Sequence, residues 1–586
     1  MTLLSAVAFC KRHLGDDSEE ARKGRIILSS LLLGGAAVKT SMTIYSRYLM
    51  YSLRKSKVEQ ASNSKNELIS IVKQPNEDTE RITNLSIMEL VEKLQNEELK
   101  PEMVLAAYQA KALDVDKQLN CVTEPVTGAR NDARHLDATD KAKGPMYGIP
   151  ISIKDNIALK GYDCTKGLSM NINHPMPNDC VLVEVLKKQG AIPFMKTNIP
   201  QTLMSYQCSN PIFGRTKNLY KSDYSPGGSS GGEAALISAG GSIIGIGTDI
   251  GGSIRIPAHM SGICGIKSSV YRLSLKGNDE GWKKYALFCP ATGFLSRDMD
   301  GIILAMRSVL VPMMFELDPN TVPLPFNEEM FSSKQSLRIG YYTYDGFIHA
   351  TPACERAVLI AKEALERKGH KLVPWTPPRV EHAYDLIMNG YFGDGAKTLF
   401  TGLENDKIDA KLAPSYYLMK MIPEKLRSYM GYIVGLFSPK LGKILRTGLD
   451  ASTVHDWWLI SKDRMNFVEE VLNHWSDNRL DAVICPGFAV PAVPYGLTIT
   501  FLCAYTALYN LLDFPAGTVP VTRVSAQDIE QLATKYSTPD FVHKQLKKLC
   551  EDTEGLPVGV QVVSTRWKEE LCLRLMKEIE DDLKSQ

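Results

Sequence analysis

Between residues 225 and 267 the chain reads SPGGSSGGEAALISAGGSIIGIGTDIGGSIRIPAHMSGICGIK. Glycine and serine are mixed here with ordinary core residues, so the segment is no flexible linker. Glu233 to Ala239 has helical character, and Ile243 to Ile246 reads as a buried strand. The glycine clusters therefore fall at the junctions of regular elements. Glycine there lets successive backbone N–H groups converge on one point and lets a second molecule approach the main chain closely. Ile250, Gly251, Gly252 and Ser253 supply consecutive amides that end at a hydroxyl. Such an array suits acyl transfer, whose tetrahedral intermediate carries a negative oxygen that needs preorganised donors. A lone Gly-Gly-Ser is most often a turn. Two such clusters bracketing a helix and a strand favour a site.

The same segment offers two nucleophiles. Gly228-Ser-Ser230-Gly-Gly232 fits GxSxG, which makes Ser230 the nucleophile and requires a later Asp or Glu and then a His. His455 and His474 are candidates for that base, and nothing in the sequence singles either out. A lysine base is the other solution. It must be neutral to act, so its pKa must fall through burial or nearby positive charge. Lys154 ends the apolar run GIPISI, which would carry it into a core. A lysine after a strand is more often an exposed strand end. Spacing alone joins Lys154 to neither serine.

Other chemistries find little support. Lys plus Arg is 68 and Asp plus Glu is 66, a net charge of +2 that provides no broad field for nucleic acid. There is no CxxC, no HExxH and no GxxxxGK[ST], so no metal or nucleotide cofactor is expected. The scattered cysteines read as buried free thiols of a reducing compartment.

Strand-like and helix-like segments alternate from residue 86 to the end, which predicts an α/β domain. Ser86 and Glu89 form a capping box, and Pro101 suits a helical first turn. Residues 56–85 are polar and mixed in charge and read as a linker. Before them, Ile26 to Val38 is apolar and is flanked by Arg and Lys. It is shorter than the roughly 20 residues of a simple membrane span. We read residues 1–55 as a membrane anchor region, spanning or interfacial, with a docked surface helix as the other reading. Residues 414–447 set Leu426, Met430, Ile433, Val434 and Phe437 at helical spacing among Lys420, Lys425, Arg427, Lys440, Lys443 and Arg446. A core-packed helix pair with a solvated basic face explains that pattern, and so does an interfacial membrane cap.

GIPISIKDN (148–156), SPGGSSGGEAALISAGGSIIGIGTDIGGSIRIPA (225–258) and GICGIK (262–267) together resemble the amidase-signature family. The resemblance implies a single large α/β/α domain with a mixed central β-sheet, spanning 86–586. It implies Ser253 as acylated nucleophile, Ser229 as bridge on a cis backbone and Lys154 as base. It further implies an oxyanion hole from the amides of Ile250, Gly251, Gly252 and Ser253, with Ser230, Asp249 and Arg255 in support.

QCSNPIFGRT (207–216), YTALYNLLDFPAGTVPVTRVSAQD (505–528) and GLPVGVQVVSTRWKEELCLRLM (555–576) resemble the animal fatty-acid-amide-cleaving branch of that family. That branch implies a membrane cap at 414–447 and a lipid amide substrate. It implies a channel lined by Leu203, Met204 and Tyr206, with Phe437 at the cap end and Trp567 further along. It also implies a homodimer on the membrane surface, with the catalytic domain on the cytosolic face of the endoplasmic reticulum. Ester hydrolysis of monoacylglycerols and cleavage of short soluble amides are alternatives on the same fold. A catalytically silent lipid-binding protein is the alternative of another class.

Overall fold

One mixed sheet of eleven strands runs through the described residues. In chain order the strands are β1 (Val122–Pro125), β2 (Pro150–Lys154), β3 (Ile192–Thr197), β4 (Ile244–Asp249), β5 (Cys264–Lys267), β6 (Ala291–Ser296), β7 (Arg338–Tyr341), β8 (Lys371–Pro374), β9 (Ala482–Pro486), β10 (Ala516–Arg523) and β11 (Pro557–Ser564). Across the sheet they lie in the order β1-β3-β2-β4-β6-β5-β10-β11-β9-β7-β8. The pairs β2–β3, β2–β4, β9–β7 and β7–β8 are parallel and the others antiparallel. This computed structural model describes residues 19–72, 74–138, 143–278, 287–446, 453–496 and 500–586, with backbone alone over 19–39 and at 415, 444 and 500.

Every residue of β2, β3, β4, β6, β9 and β11 is buried. Side chains alternate between faces along a strand, so this sheet is covered on both sides. The expected α/β class and mixed sheet are found. The Ser86–Glu89 capping box and Pro101 at a helix start are also found.

The stretch 56–85 is helical over most of its length, which corrects its reading as a linker. Helix α1 (Glu19–Ile71) runs through it, and a short helix follows at Glu77–Thr83. Its polar residues have partners that composition does not reveal. Lys57 lies 3.0 Å from both Glu124 and Asp163, and Lys65 lies 2.6 Å from Asp116. Buried charges paired in this way hold α1 against the edge strand β1 and satisfy groups that would otherwise favour water.

The apolar run 26–38 lies in the part of α1 described by backbone alone. Among the described residues no helix is long and apolar enough to cross a membrane.

Candidate active site

Strands β2 and β4 are parallel neighbours, with Ile153 opposite Ile246. Their carboxyl ends therefore share one edge, where Lys154 closes β2 and Thr248 and Asp249 close β4. Sites in open α/β sheets form outside such ends. Two loops fold over this edge. One enters helix α2 (Gly231–Ser238), the other enters helix α3 (Arg255–Ser261). The Ser230 N–H donates to the Ser253 carbonyl at 3.0 Å and ties the loops together.

Lys154 is fully buried. Its Nζ lies 2.8 Å from Ser229 Oγ, 2.9 Å from Thr248 Oγ1 and 3.1 Å from the Thr248 carbonyl. Burial pulls its pKa down to about 7, against the opposing pull of Asp249. The amine is thus partly neutral at neutral pH and can hold a lone pair toward a hydroxyl. The Gly228–Ser229 peptide is cis. Ser229 and Ser253 line a common cavity of about 30 Å³ with Asn156, Leu203, Met204 and Thr248. The Lys154–Ser229 link is formed, whereas no hydrogen bond joins the two serine hydroxyls in this conformation. Catalytic hydrogen bonds often tighten only once substrate is bound.

The loop 250–253 is held by its carbonyls. Tyr391 Oη donates to the Ile250 carbonyl at 2.8 Å, and Thr506 Oγ1 donates to the Gly251 carbonyl at 2.7 Å. In a trans peptide the N–H points away from its own carbonyl. Tyr391 therefore orients the Gly251 N–H, and Thr506 orients the Gly252 N–H. The latter donates to Asp249 Oδ1 at 2.7 Å. Among the described residues the amides of Ile250, Gly251 and Ser253 have no protein acceptor. Gly252 has φ +123°, and a Cβ at Gly251 would lie 2.3 Å from the Tyr391 hydroxyl, so both positions exclude a side chain.

Asp249 and Arg255 are both fully buried and paired at 2.9 Å. Arg255 also donates to the Thr506 carbonyl, to Gln561 Oε1 and to Asn510 Oδ1. Burial alone would raise the Asp249 pKa, but the Arg255 guanidinium and backbone N–H donors hold it well below the usual carboxylate range. Ser230 caps α2, and its hydroxyl is buried without a partner. Among the described residues no histidine bonds the Ser230 hydroxyl, as the GxSxG reading requires. His455 is exposed, and His474 stacks on Trp375. The buried His259 faces the Gly559 and Val490 carbonyls.

Of the expected channel residues, Leu203 and Met204 reach the cavity. Thr202 and Leu203 both have positive φ, 64° and 66°. Each such residue costs about 1–3 kcal/mol and persists only where its surroundings hold it. Tyr206, Phe437 and Trp567 are not among the residues that line this cavity. Tyr206 packs edge-on against Phe488, and Trp567 is half-buried beyond the end of β11. Phe437 is 87% exposed, because the helix before it presents that face outward. Sequence reasoning missed Asn156, Thr248, Tyr391, Thr506 and Asn510. Thr506 and Asn510 stand four residues apart within YTALYNLLDF, a spacing that places both on one helix face.

Comparison with known proteins agrees with this architecture. Residues 103–573 match the amidase family. The chain is 42% identical over 513 residues to fatty-acid amide hydrolase 1 of Sus scrofa, covering 86% of this chain and 87% of that protein. It is 37% identical to fatty acid amide hydrolase 1 of Caenorhabditis elegans, covering 86% and 89%. A solved structure described as fatty acid amide hydrolase superposes with a TM-score of 0.74 at 25% identity, covering 92% of this chain and 94% of that one. Fold and relatives together define an amide hydrolase. The chain belongs to the amidase-signature family.

Proposed function

We propose that this chain is a membrane-associated serine amidase that cleaves fatty acid amides, among them N-acylethanolamines and primary fatty acid amides. The observation that carries the reading is Lys154 Nζ 2.8 Å from Ser229 Oγ, in the cavity that Ser229 shares with Ser253. Neutral Lys154 takes the Ser229 proton as Ser229 takes the Ser253 proton. Ser253 Oγ attacks the amide carbon, and the negative oxygen lies among the N–H groups of Ile250, Gly251 and Ser253. The Lys154 ammonium then returns a proton through Ser229 to the leaving nitrogen, and the C–N bond breaks. Water attacks the acyl group on Ser253 along the same proton path and releases the acid.

The substrate class rests on the activity that names the similar proteins and on an apolar outer surface. Helices α4 (Ala413–Met421), α5 (Glu424–Gly435) and α6 (Pro439–Arg446) expose Met421, Tyr429, Tyr432, Ile433, Leu436 and Phe437. An exposed apolar patch of this kind suits a bilayer interface. Free thiols at every described cysteine suit a reducing compartment, as on the cytosolic face of an internal membrane.

The small cavity favours a second reading, a short-chain amidase. At about 30 Å³ it is narrow, and Leu203 and Met204 form part of its wall. Active-site labelling with a fluorophosphonate tests the chemistry. Labelling lost in Ser253→Ala supports the mechanism; labelling that persists in that variant overturns it. Relative turnover of acetyl and oleoyl amides then decides between the two substrate classes.

A further inference from the structure

The Leu203–Met204 wall of the cavity is anchored far from it. Gln201 is buried at the start of the turn that carries Leu203 and Met204. Its Nε2 donates to the Lys407 carbonyl at 3.0 Å, and its Oε1 accepts from the Asp409 N–H at 2.8 Å. Gln201 thus fixes the turn to the segment 406–409. A third tie is the Thr202 N–H on the Lys166 carbonyl at 2.9 Å. The Thr202 hydroxyl is buried without a partner, so these ties, and not that side chain, hold the positive-φ pair in place.

Both anchoring segments converge on helix α1. The Asp406 side chain accepts from Ser169 N–H at 2.8 Å and from Ser169 Oγ at 2.6 Å, which joins the 165–172 loop to the 406–409 segment. Arg54 of α1 closes the junction. Its Nη1 donates to Ser169 Oγ at 2.9 Å and pairs with Asp406. Asp406 is almost wholly buried there, so Arg54 supplies a charge partner that the junction cannot replace with water. Leu168, Leu403 and Tyr416 pack into one cluster beside it.

We propose that Arg54 and Gln201 are positioning residues through which the seating of α1 sets the wall formed by Leu203 and Met204, and so sets the acyl chain lengths the enzyme accepts. The inference rests on the cavity at Ser253 being the active site. A strained turn moves when its outside ties loosen. Loosening the Arg54 tie shifts the wall but leaves Lys154, Ser229 and the 250–253 loop, which are held by other contacts.

The test uses full-length enzyme in detergent with acetyl, octanoyl and palmitoyl amides of one amine. Wild-type enzyme that neither turns over an amide nor labels at Ser253 overturns the active-site reading itself, before any variant is made. Given an active wild type, Arg54→Ala is expected to change the palmitoyl-to-acetyl ratio of kcat/KM by about fivefold or more. The change is expected in KM for the long chain, with acetyl kcat held. Arg54→Lys, which keeps the charge, is expected to restore part of the ratio. In the double variant Arg54→Ala with Gln201→Ala, the ratio is expected to change by less than the product of the single effects, because one path connects them. An unchanged ratio in Arg54→Ala, or equal loss on all three amides, overturns the proposal.

Discussion

The Tyr391 hydroxyl lies 2.8 Å from the Ile250 carbonyl and thereby aims the Gly251 N–H away from it. Tyr391→Phe keeps the ring, which packs edge-on against Phe288, and removes only this donor. A neutral hydrogen bond contributes about 0.5–1.5 kcal/mol, so kcat is expected to fall up to about tenfold. If the Gly251 amide serves the oxyanion, the loss falls on kcat with KM nearly constant. A loss confined to KM on steady-state assay would remove Tyr391 from that role.

In the proposed mechanism Lys154 sets the acid limb of activity. Its pKa of about 7 reflects burial, and only the neutral amine can accept a proton. Amidase kcat/KM is therefore expected to rise with pH through about 7 and then level. Lys154→Ala is expected to lower amide turnover by about 10²–10⁴, and ester turnover by less, because an alkoxide leaves more readily without a proton than an amide nitrogen does. Equal losses on a matched amide and ester pair would contradict proton delivery to nitrogen.

How far was this site legible in the sequence? Ser229, Ser253 and Lys154 stand in local motifs, but residue type and spacing leave Ser230 and Ser253 open as nucleophiles, and the three roles come from the family pattern. Tyr391 and Thr506 could not be named, because they act through hydroxyl groups brought to the 250–251 carbonyls from distant helices. Tyrosines and threonines in helices carry no signal of that use. The contact of the Gly252 amide with Asp249 was not legible for a related reason: a run of glycines shows where amides lie, not what they meet. The linker expectation for 56–85 failed because a polar segment looks the same whether its lysines meet water or Glu124, Asp163 and Asp116. The mixed sheet was legible through the family pattern, and composition supplied only the α/β class.

Glu233 offers a stability test with a defined sign. Burial raises its pKa from 4.5 to about 8, against the hydroxyl donors Ser152 and Thr197. Between these values the native chain keeps a proton that the unfolded chain has lost. Stability contributed here is complete below pH 4.5 and is lost as pH rises through about 8. Glu233→Gln mimics the protonated acid, so denaturation curves across this window are expected to show a weaker pH dependence than wild type. An unaltered slope would mean that Glu233 is ionised in the native protein.

The Asp249–Arg255 pair is buried with every charged atom partnered, so breaking it strands a charge. Arg255→Ala is expected to destabilise the fold by about 3–5 kcal/mol, measured by chemical denaturation. Arg255→Lys retains the charge but cannot reach Asp249, Asn510 and Gln561 together, so only partial recovery is expected. Full recovery by lysine would show that charge alone, and not the forked geometry, holds the loop.

The outer helices present the last test. Leu436 and Phe437 are 83% and 87% exposed at the end of α5. The neighbouring lysines do not simply form a free basic face. Lys440 pairs with Asp540 at 2.9 Å, and Lys443 pairs with Asp385 at 2.7 Å, so both fasten α6 to the body. Apolar contact, more than charge, should therefore drive lipid binding. Leu436→Ser with Phe437→Ser is expected to weaken sedimentation with neutral phosphatidylcholine vesicles while turnover of a soluble short amide stays near wild type. Raising salt should change the wild-type binding little, since exposed charge attraction is what salt screens. Undiminished vesicle binding by the double variant would assign the membrane contact to another surface. Reduced long-chain turnover in detergent, with vesicle binding intact, would place Phe437 on the substrate path instead.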